Sequence, residues 1–219
     1  MDLQTVIDHF GVTVASISGV LAARGKRIDL FGVMVLAFVT AFGGGTIRDV
    51  TLGDHPVFWV RDLGFLGNAA ATAVMTFCIA RFFDFHSGIL MVADAFVLAA
   101  FTMAGAQKAM AFHTTPGAVL FMGVTTGVAG GIVRDLLTGQ IPLVFRQEIC
   151  LYATASFLGA FAFLLTGLAG ASAHVAVAVG FAFTLVIRLA GIRWRIVLPL
   201  FETRADRIRS QKPTPRELR

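Results

Sequence analysis

Apolar residues run through this chain in seven long segments, which short polar stretches separate. A helix needs about 20 apolar residues to cross the hydrocarbon core of a bilayer, and each segment has about that length. The segments lie at about residues 4–23, 29–50, 62–82, 88–109, 115–137, 147–168 and 173–191, and a polar tail follows from Arg193. The pattern predicts an all-α membrane protein with seven transmembrane helices.

The composition agrees with a chain that lies in lipid. Of its 219 residues, 57% are hydrophobic and 14% are charged, whereas a soluble domain is roughly 45–50% apolar. The net charge of +5 resides in loops and the tail, which a membrane surface explains, and we expect no nucleic-acid partner. Cys78 and Cys150 both fall in apolar segments, so no disulfide or metal framework is predicted.

Lysine and arginine are distributed unequally between the two sides of the predicted helices. Fifteen fall on one side, including the tail, and the other side receives only Arg48, Arg61 and Lys108. The side that is richer in these residues is normally cytoplasmic. The chain is therefore predicted to have its amino terminus outside and its carboxyl terminus in the cytoplasm.

One stretch of sequence occurs twice without a gap. Residues 37–56 read AFVTAFGGGTIRDVTLGDHP, and residues 123–142, which lie 86 positions later, read GVTTGVAGGIVRDLLTGQIP, with seven identical positions. The same offset relates the first three predicted spans to the next three. Because three is an odd number, the second copy must enter the membrane from the opposite side, as in an inverted repeat.

This repeat divides the chain into four parts. Residues 1–86 form the first three-helix repeat, 87–172 the second and inverted one, 173–192 a seventh helix, and 193–219 a basic cytoplasmic tail. The predicted architecture is thus a 3+3 inverted repeat with one added helix.

Each copy of the repeated stretch contains a glycine cluster inside a predicted span. The glycines are Gly43, Gly44 and Gly45 in the first copy and Gly130 and Gly131 in the second. Consecutive glycines can bend or break a helix, and paired broken helices in an inverted repeat indicate a transport site. The alternative is that the small residues only let two helices pack closely.

Gly53 and Gly139 are predicted to end the two helices as C-terminal caps.

An Arg-Asp pair follows each cluster, Arg48-Asp49 in the first copy and Arg134-Asp135 in the second. The arginines could extend to the membrane surface from the helix ends, or the pairs could be buried. Adjacent residues on a helix do not face each other. For the buried case, the hypothesis is that Arg48 pairs with Asp135 and Arg134 with Asp49 across the pseudo-two-fold axis.

Three further charged residues are candidates for the lining or gating of a pore. Asp94 lies in a span and Asp8 is its counterpart in the repeat. A carboxylate there indicates an ion pathway or a helix N-cap at the interface. Lys108 is either a residue that extends to the membrane surface or a positive gate.

Tyr152 is predicted to lie in an interfacial aromatic belt.

No catalytic motif is present. The chain lacks GxSxG, a P-loop and a metal-ligand spacing such as HExxH, and GGGTIRD has no Lys-Ser/Thr to hold a phosphate. We therefore expect neither an enzyme nor a bound cofactor or metal site, although K⁺ or Na⁺ could permeate.

The segments FGGGTIRDVTLG and AGGIVRDLLTGQIP resemble the bacterial branch of the trimeric intracellular cation (TRIC) channel family, and the resemblance covers about residues 5–192. It implies a homotrimer in the bacterial inner membrane, in contact with membrane lipids. It also implies that each protomer has its own potassium-conducting pore, with spans two and five kinked at the glycines. The second cluster differs from the first because Ala129 stands where the first copy has Gly43.

The resemblance also implies an alternative function. Some bacterial relatives are regarded as glycine uptake proteins, so a carrier of small zwitterions is the rival to a channel. A scaffold without transport is a third possibility.

Overall fold

The computed structural model of the protein describes residues 3–82, 87–146 and 151–194, and every regular element in these ranges is a helix. The α-helices are α1 (Leu3–Ala22), α2 (Leu30–Leu52), α3 (Phe58–Arg61), α4 (Gly64–Ala80), α5 (Ser87–Ala111), α6 (Pro116–Leu137), α7 (Tyr152–Leu168) and α8 (Ala173–Trp194). A short 3-10 helix, Leu143–Phe145, lies between α6 and α7.

Each of the seven predicted segments contains one long helix. Five of these described helices are long and apolar enough to cross a membrane, and the other two, α4 and α7, are apolar but have 17 residues each. The protein is therefore a multi-pass membrane protein. The sequence pattern missed α3 and the 3-10 helix, which occupy equivalent places after α2 and α6. The basic tail that was predicted after residue 192 falls almost entirely outside the described residues.

Local sequence explains where the two repeated helices begin and end. Asp29 caps the start of α2 by accepting a hydrogen bond from the Gly32 amide at 2.8 Å. Thr115 caps α6 in the same way, with Pro116 in the first turn. Gly53 ends α2 with φ 71°, as predicted. In the second copy the cap is Thr138, and Gly139 follows it with φ 67°.

The long helices pack around two central pairs. α1 packs against α5, and α2 packs against α6. α4 covers α1 and α2, while α7 covers α5 and α6, and α8 packs on α7 and α5. Phenylalanines dominate the core between α1, α2, α4 and α5, and a second core joins α5 and α6 to α7 and α8. The arrangement places the repeated motifs of α2 and α6 side by side at the centre.

α2 and α6 remain helical through their glycine clusters, so the prediction that these helices are broken there is wrong. The glycines instead let the two backbones touch. A Cβ atom on Gly44 would overlap the carbonyl oxygen of Thr126, and one on Gly130 would overlap the carbonyl oxygen of Thr40. The close packing of the alternative interpretation is therefore present, and a bend at the glycines stays a prediction. The contact is reciprocal because each helix supplies one glycine and one threonine carbonyl.

This crossing predicts that neighbouring glycines differ in their tolerance of alanine. Gly44→Ala and Gly130→Ala should each destabilise the protein by about 1–3 kcal/mol, because backbone cannot yield to the added methyl group. Gly43→Ala is the matched control, since its Cβ would lie 3.6 Å from the Gly130 Cα, an ordinary contact. Thermal unfolding in detergent measures the difference. Equal melting temperatures for the three variants would contradict the crossing.

Candidate functional site

Four helices bring charged side chains together beside the α2–α6 crossing. Arg48 of α2 is 1% exposed, and its Nε donates to Asp49 Oδ1 at 2.7 Å. Its Nη1 donates to Asp8 Oδ1 of α1 at 3.0 Å. Gln4, one turn before Asp8, donates to the other carboxylate oxygen at 3.1 Å. The Phe58 ring also lies 5.3 Å from the Arg48 guanidinium carbon, within the range of a cation–π contact.

Asp49 connects this arginine to the end of α2 and to α5. Its Oδ2 accepts a hydrogen bond from the Phe58 amide at 2.8 Å, which fixes the start of α3. Lys108 of α5 lies 2.6 Å from Asp49 Oδ1 and 2.6 Å from Asp54 Oδ2. We call Gln4, Asp8, Arg48, Asp49, Asp54 and Lys108 the first network.

Asp54 lies beyond the end of α2 and is bound by two cations. The hydrogen bond from Lys108 is the main cause that lowers the pKa of the Asp54 carboxyl, and Arg61, at 2.6 Å, adds to it. Because the lowered pKa lies below the ordinary range of aspartate, the carboxylate stays ionised at neutral pH. Its contribution to stability is lost only when the pH falls through that lowered value.

Arg134 of α6 has the same surroundings. It is fully buried, and its Nε donates to Asp135 Oδ1 at 2.8 Å. Its Nη1 donates to Asp94 Oδ1 of α5 at 2.8 Å and also to the Ser18 hydroxyl of α1. Asp135 Oδ2 accepts from the Leu143 amide at 2.8 Å, at the start of the 3-10 helix. Ser18, Asp94, Arg134 and Asp135 form the second network.

The two networks correspond through the 86-residue offset. Asp8, Arg48 and Asp49 correspond to Asp94, Arg134 and Asp135. In each network the arginine binds its own neighbour and an aspartate of the preceding long helix of the same repeat, and the neighbour also holds a backbone amide of the next short helix. The structure thus brings together all seven charged residues that the sequence singled out, with Lys108 in the first network.

The structure decides between the alternatives for these charges. The Arg-Asp pairs are buried and do not extend to the surface. The hypothesis that Arg48 pairs with Asp135 and Arg134 with Asp49 is wrong, because each arginine side chain is long enough to bind the carboxylate beside it. Asp94 is not an N-cap, since it lies inside α5 and is paired with Arg134.

Two residues near the second network were misjudged from the sequence. Tyr152 is 4% exposed and so does not belong to an interfacial belt. A Cβ atom on Gly131 would lie 3.0 Å from the Tyr152 hydroxyl and 3.5 Å from Asp94 Oδ1, so this hydroxyl is close to the network. Arg188 of α8, which the sequence assigned to the cytoplasmic side, is fully buried with its guanidinium carbon 4.7 Å from the centre of the Tyr152 ring. The sequence feature that could have indicated this burial is Arg188 itself, a charged residue inside the apolar segment of α8.

A cavity of about 310 Å³ opens beside the second network. Its lining carries both signs of charge: the cations are Arg24, Lys26 and Arg146, and the anion is Asp135. Lys26 donates to the Thr138 carbonyl at 2.6 Å, at the end of α6. Lys26 therefore places a positive charge at the carboxyl end of α6, where the helix dipole favours it, whereas Lys108 binds two carboxylates near the end of α2.

Solved structures of known proteins share this fold. A crystal structure of the TRIC trimeric intracellular cation channel orthologue from Rhodobacter sphaeroides superposes with a TM-score of 0.84 and 37% identity, covering 90% of this chain and all of that one. A second structure, described as a basis for conductance through TRIC cation channels, gives 0.81 and 31%, covering 92% of this chain and 98% of that one. These neighbours are described as channels and not as enzymes. Fold and networks together define a multi-pass membrane protein of the TRIC channel architecture.

The sequence comparisons lead to the same group. A UPF0126 membrane protein of Vibrio cholerae is 46% identical over 201 residues, 91% of this chain and 83% of its own length. The UPF0126 inner membrane protein YadS of Escherichia coli is 43% identical over 204 residues, 89% of this chain and 94% of its own. A family model described as glycine transporter matches residues 5–81 and 91–168. The chain belongs to this family, the bacterial branch of the TRIC channels.

The pairing within each network predicts the outcome of double-mutant cycles. Asp8→Asn should cost about 3–5 kcal/mol of stability because it removes one partner of a buried ion pair, and Arg48→Gln should show strong coupling to it. The cycle that combines Arg48→Gln with Asp135→Asn should show coupling near zero. Thermal unfolding in detergent gives all the values.

The exposed pair Arg61–Asp54 serves as the control for that experiment. The Arg61 side chain is 52% exposed, so Arg61→Gln should cost less than about 1 kcal/mol. Strong coupling between Arg48 and Asp135, with none between Arg48 and Asp8, would contradict the assignment of partners.

Proposed function

We propose that this protein is a monovalent cation channel that conducts mainly potassium, with a pore in each protomer between α1, α2, α5 and α6. The observation that carries the proposal is the pair of buried arginine networks where these four helices meet. Charged groups inside a membrane protein are costly and usually serve an ion or substrate pathway. The similarity to TRIC cation channels in sequence and fold supports the same function, and it supports three copies assembling into a homotrimer in the bacterial inner membrane.

We also propose that the chain is a seven-span, 3+3 inverted repeat with its amino terminus outside. Lys108, near the end of α5, binds Asp54 beyond the end of α2, so these two helices end on one side. Lys26, just after α1, binds Thr138 at the end of α6, so α1 and α6 end together. Because consecutive α1 and α2 run in opposite directions, this supports opposite directions for the equivalent helices α2 and α6.

Single-cysteine labelling tests this orientation. A cysteine at Asp62, in the loop after α3, should react with a membrane-impermeant maleimide added outside intact cells. A cysteine at Gln140, after α6, should react only when the membrane is opened. Labelling of both positions from the same side would exclude an inverted repeat.

In the proposed mechanism, Lys108 controls the charge of the pore. Arg48 faces two carboxylates, Asp8 and Asp49, and this group of three carries one net negative charge that Lys108 neutralises. Withdrawal of Lys108 would restore the negative charge and attract a cation. Opening also requires α2 and α6 to separate at the glycines, where their backbones touch. The described arrangement is therefore the closed state in this mechanism, and the glycines serve as the gate.

A carrier of glycine or another small zwitterion is the second candidate. The family model described as glycine transporter favours it, and so does the cavity beside Asp135, which offers cations for a carboxylate and oxygen atoms for an ammonium group. Unbroken helices weaken the argument for it, because α2 and α6 present no internal helix ends to a carboxylate.

Reconstitution of the purified protein distinguishes the two candidates. A channel should give unitary potassium currents in planar bilayers and no counterflow of labelled glycine in vesicles. Lys108→Gln should raise the open probability several-fold, while Lys108→Arg, which keeps the charge, should resemble the wild type.

Three other results would contradict all or part of this proposal. Saturable glycine counterflow without unitary currents would establish the carrier, and the absence of both would leave a scaffold. Unitary currents whose open probability is the same in the Lys108→Gln variant would preserve the channel and reject Lys108 as its control.

A further inference from the structure

A second cavity lies on the other side of the turn between α1 and α2. It has a volume of about 220 Å³ and is enclosed by the end of α1, the start of α2 and the end of α4. Its walls are apolar, with Val20, Val33 and Phe77 among them. Three arginines complete the lining, namely Arg24, Arg27 and Arg81. We call this cavity the arginine groove.

Two of the three arginines, Arg27 and Arg81, are the ones on which a ligand could bind. Arg27 and Arg81 are both exposed, and within the described residues no carboxylate forms an ion pair with either of them. Asp29, the acidic residue nearest to Arg27 in the sequence, already accepts the Gly32 amide as the cap of α2. Two arginines that form no ion pair among the described residues, both on the lining of one cavity, favour an anion with several acceptor oxygens.

The groove opens onto a surface that suits lipid. Large exposed apolar side chains occur next to its lining residues in the sequence, with Phe31 75% exposed at the start of α2 and Phe82 81% exposed after Arg81. Ile79, on the last turn of α4, is 49% exposed. A soluble anion would gain nothing from these side chains, whereas an acyl chain can pack along them. Apolar walls and guanidinium groups in one cavity match the two parts of a phospholipid.

We propose that the arginine groove binds one anionic glycerophospholipid, whose phosphate contacts Arg27 and Arg81 and whose acyl chain lies along Val33 and Phe77. The occupied site would tie the ends of α1 and α4 to the start of α2 from the lipid side. Basic pockets between transmembrane helices are a known way to hold acidic headgroups. The site is separate from the two arginine networks, so the inference does not depend on whether the protein is a channel or a carrier.

Native mass spectrometry of the intact protein tests the site. The protein is released from nanodiscs that contain equal amounts of phosphatidylglycerol and phosphatidylethanolamine, and the lipids retained on each protomer are counted. One phosphatidylglycerol per protomer should be retained in preference to phosphatidylethanolamine. Retention should weaken roughly fivefold for each arginine that is replaced in Arg27→Gln and Arg81→Gln. The variant Arg27→Lys/Arg81→Lys, which keeps both positive charges, should restore much of it.

Controls separate the lipid from other occupants. Arg61→Gln, which removes an exposed arginine elsewhere, should retain phosphatidylglycerol as the wild type does. Unchanged retention in the Arg27→Gln/Arg81→Gln variant would overturn the proposal. Displacement of the lipid by inorganic phosphate would overturn it as well, because the site would then recognise a soluble anion. Loss of oligomers in the variant without loss of lipid would show that a second copy covers the groove.

Discussion

Two arginine side chains are buried at the centre of a chain that lies in lipid, and the rest of the structure is arranged to neutralise them. A buried guanidinium without a partner costs far more than any single apolar contact contributes. Arg48 and Arg134 each bind two carboxylates, one beside them on the same helix and one on the preceding long helix of the repeat. This requirement fixes the distance and the register between α1 and α2 and between α5 and α6.

The same carboxylates organise the chain beyond the long helices. Asp49 and Asp135 each use one oxygen for arginine and the other for a backbone amide nine or eight residues later. Since that amide begins a short helix, the network also positions the segment that leads into α4 or α7. A local pair of charges therefore determines where the chain turns back. The glycines of α2 and α6 allow the two networks to lie side by side by bringing the helix backbones into contact.

The two halves differ in what surrounds the common network. In the first half, Lys108 bridges Asp49 and Asp54 near the end of α2, and it is 12% exposed. In the second half, Tyr152 and Arg188 are buried beside the network, and Arg188 comes from α8, which lies outside the repeat. A cation on the edge of a network can leave it at lower cost than one fully buried among helices. This difference in burial is why the proposed mechanism assigns movement to Lys108.

The sequence by itself determined the class of protein, the seven long helices, the repeat and the two Arg-Asp pairs, because hydrophobic length and an ungapped duplication are local properties. It did not single out Asp54, which the structure places in the first network. It also placed the cap at Gly53. Only the tertiary structure decided which aspartate each arginine binds, that α2 and α6 stay helical through their glycines, and that Tyr152 and Arg188 are buried. These features depend on which helix faces align, and the pattern along one helix does not specify its neighbour. Glycine permits either a break in a helix or a close contact between two helices. Here the close contact forms, because Gly44 and Gly130 each lie against a threonine carbonyl of the other helix.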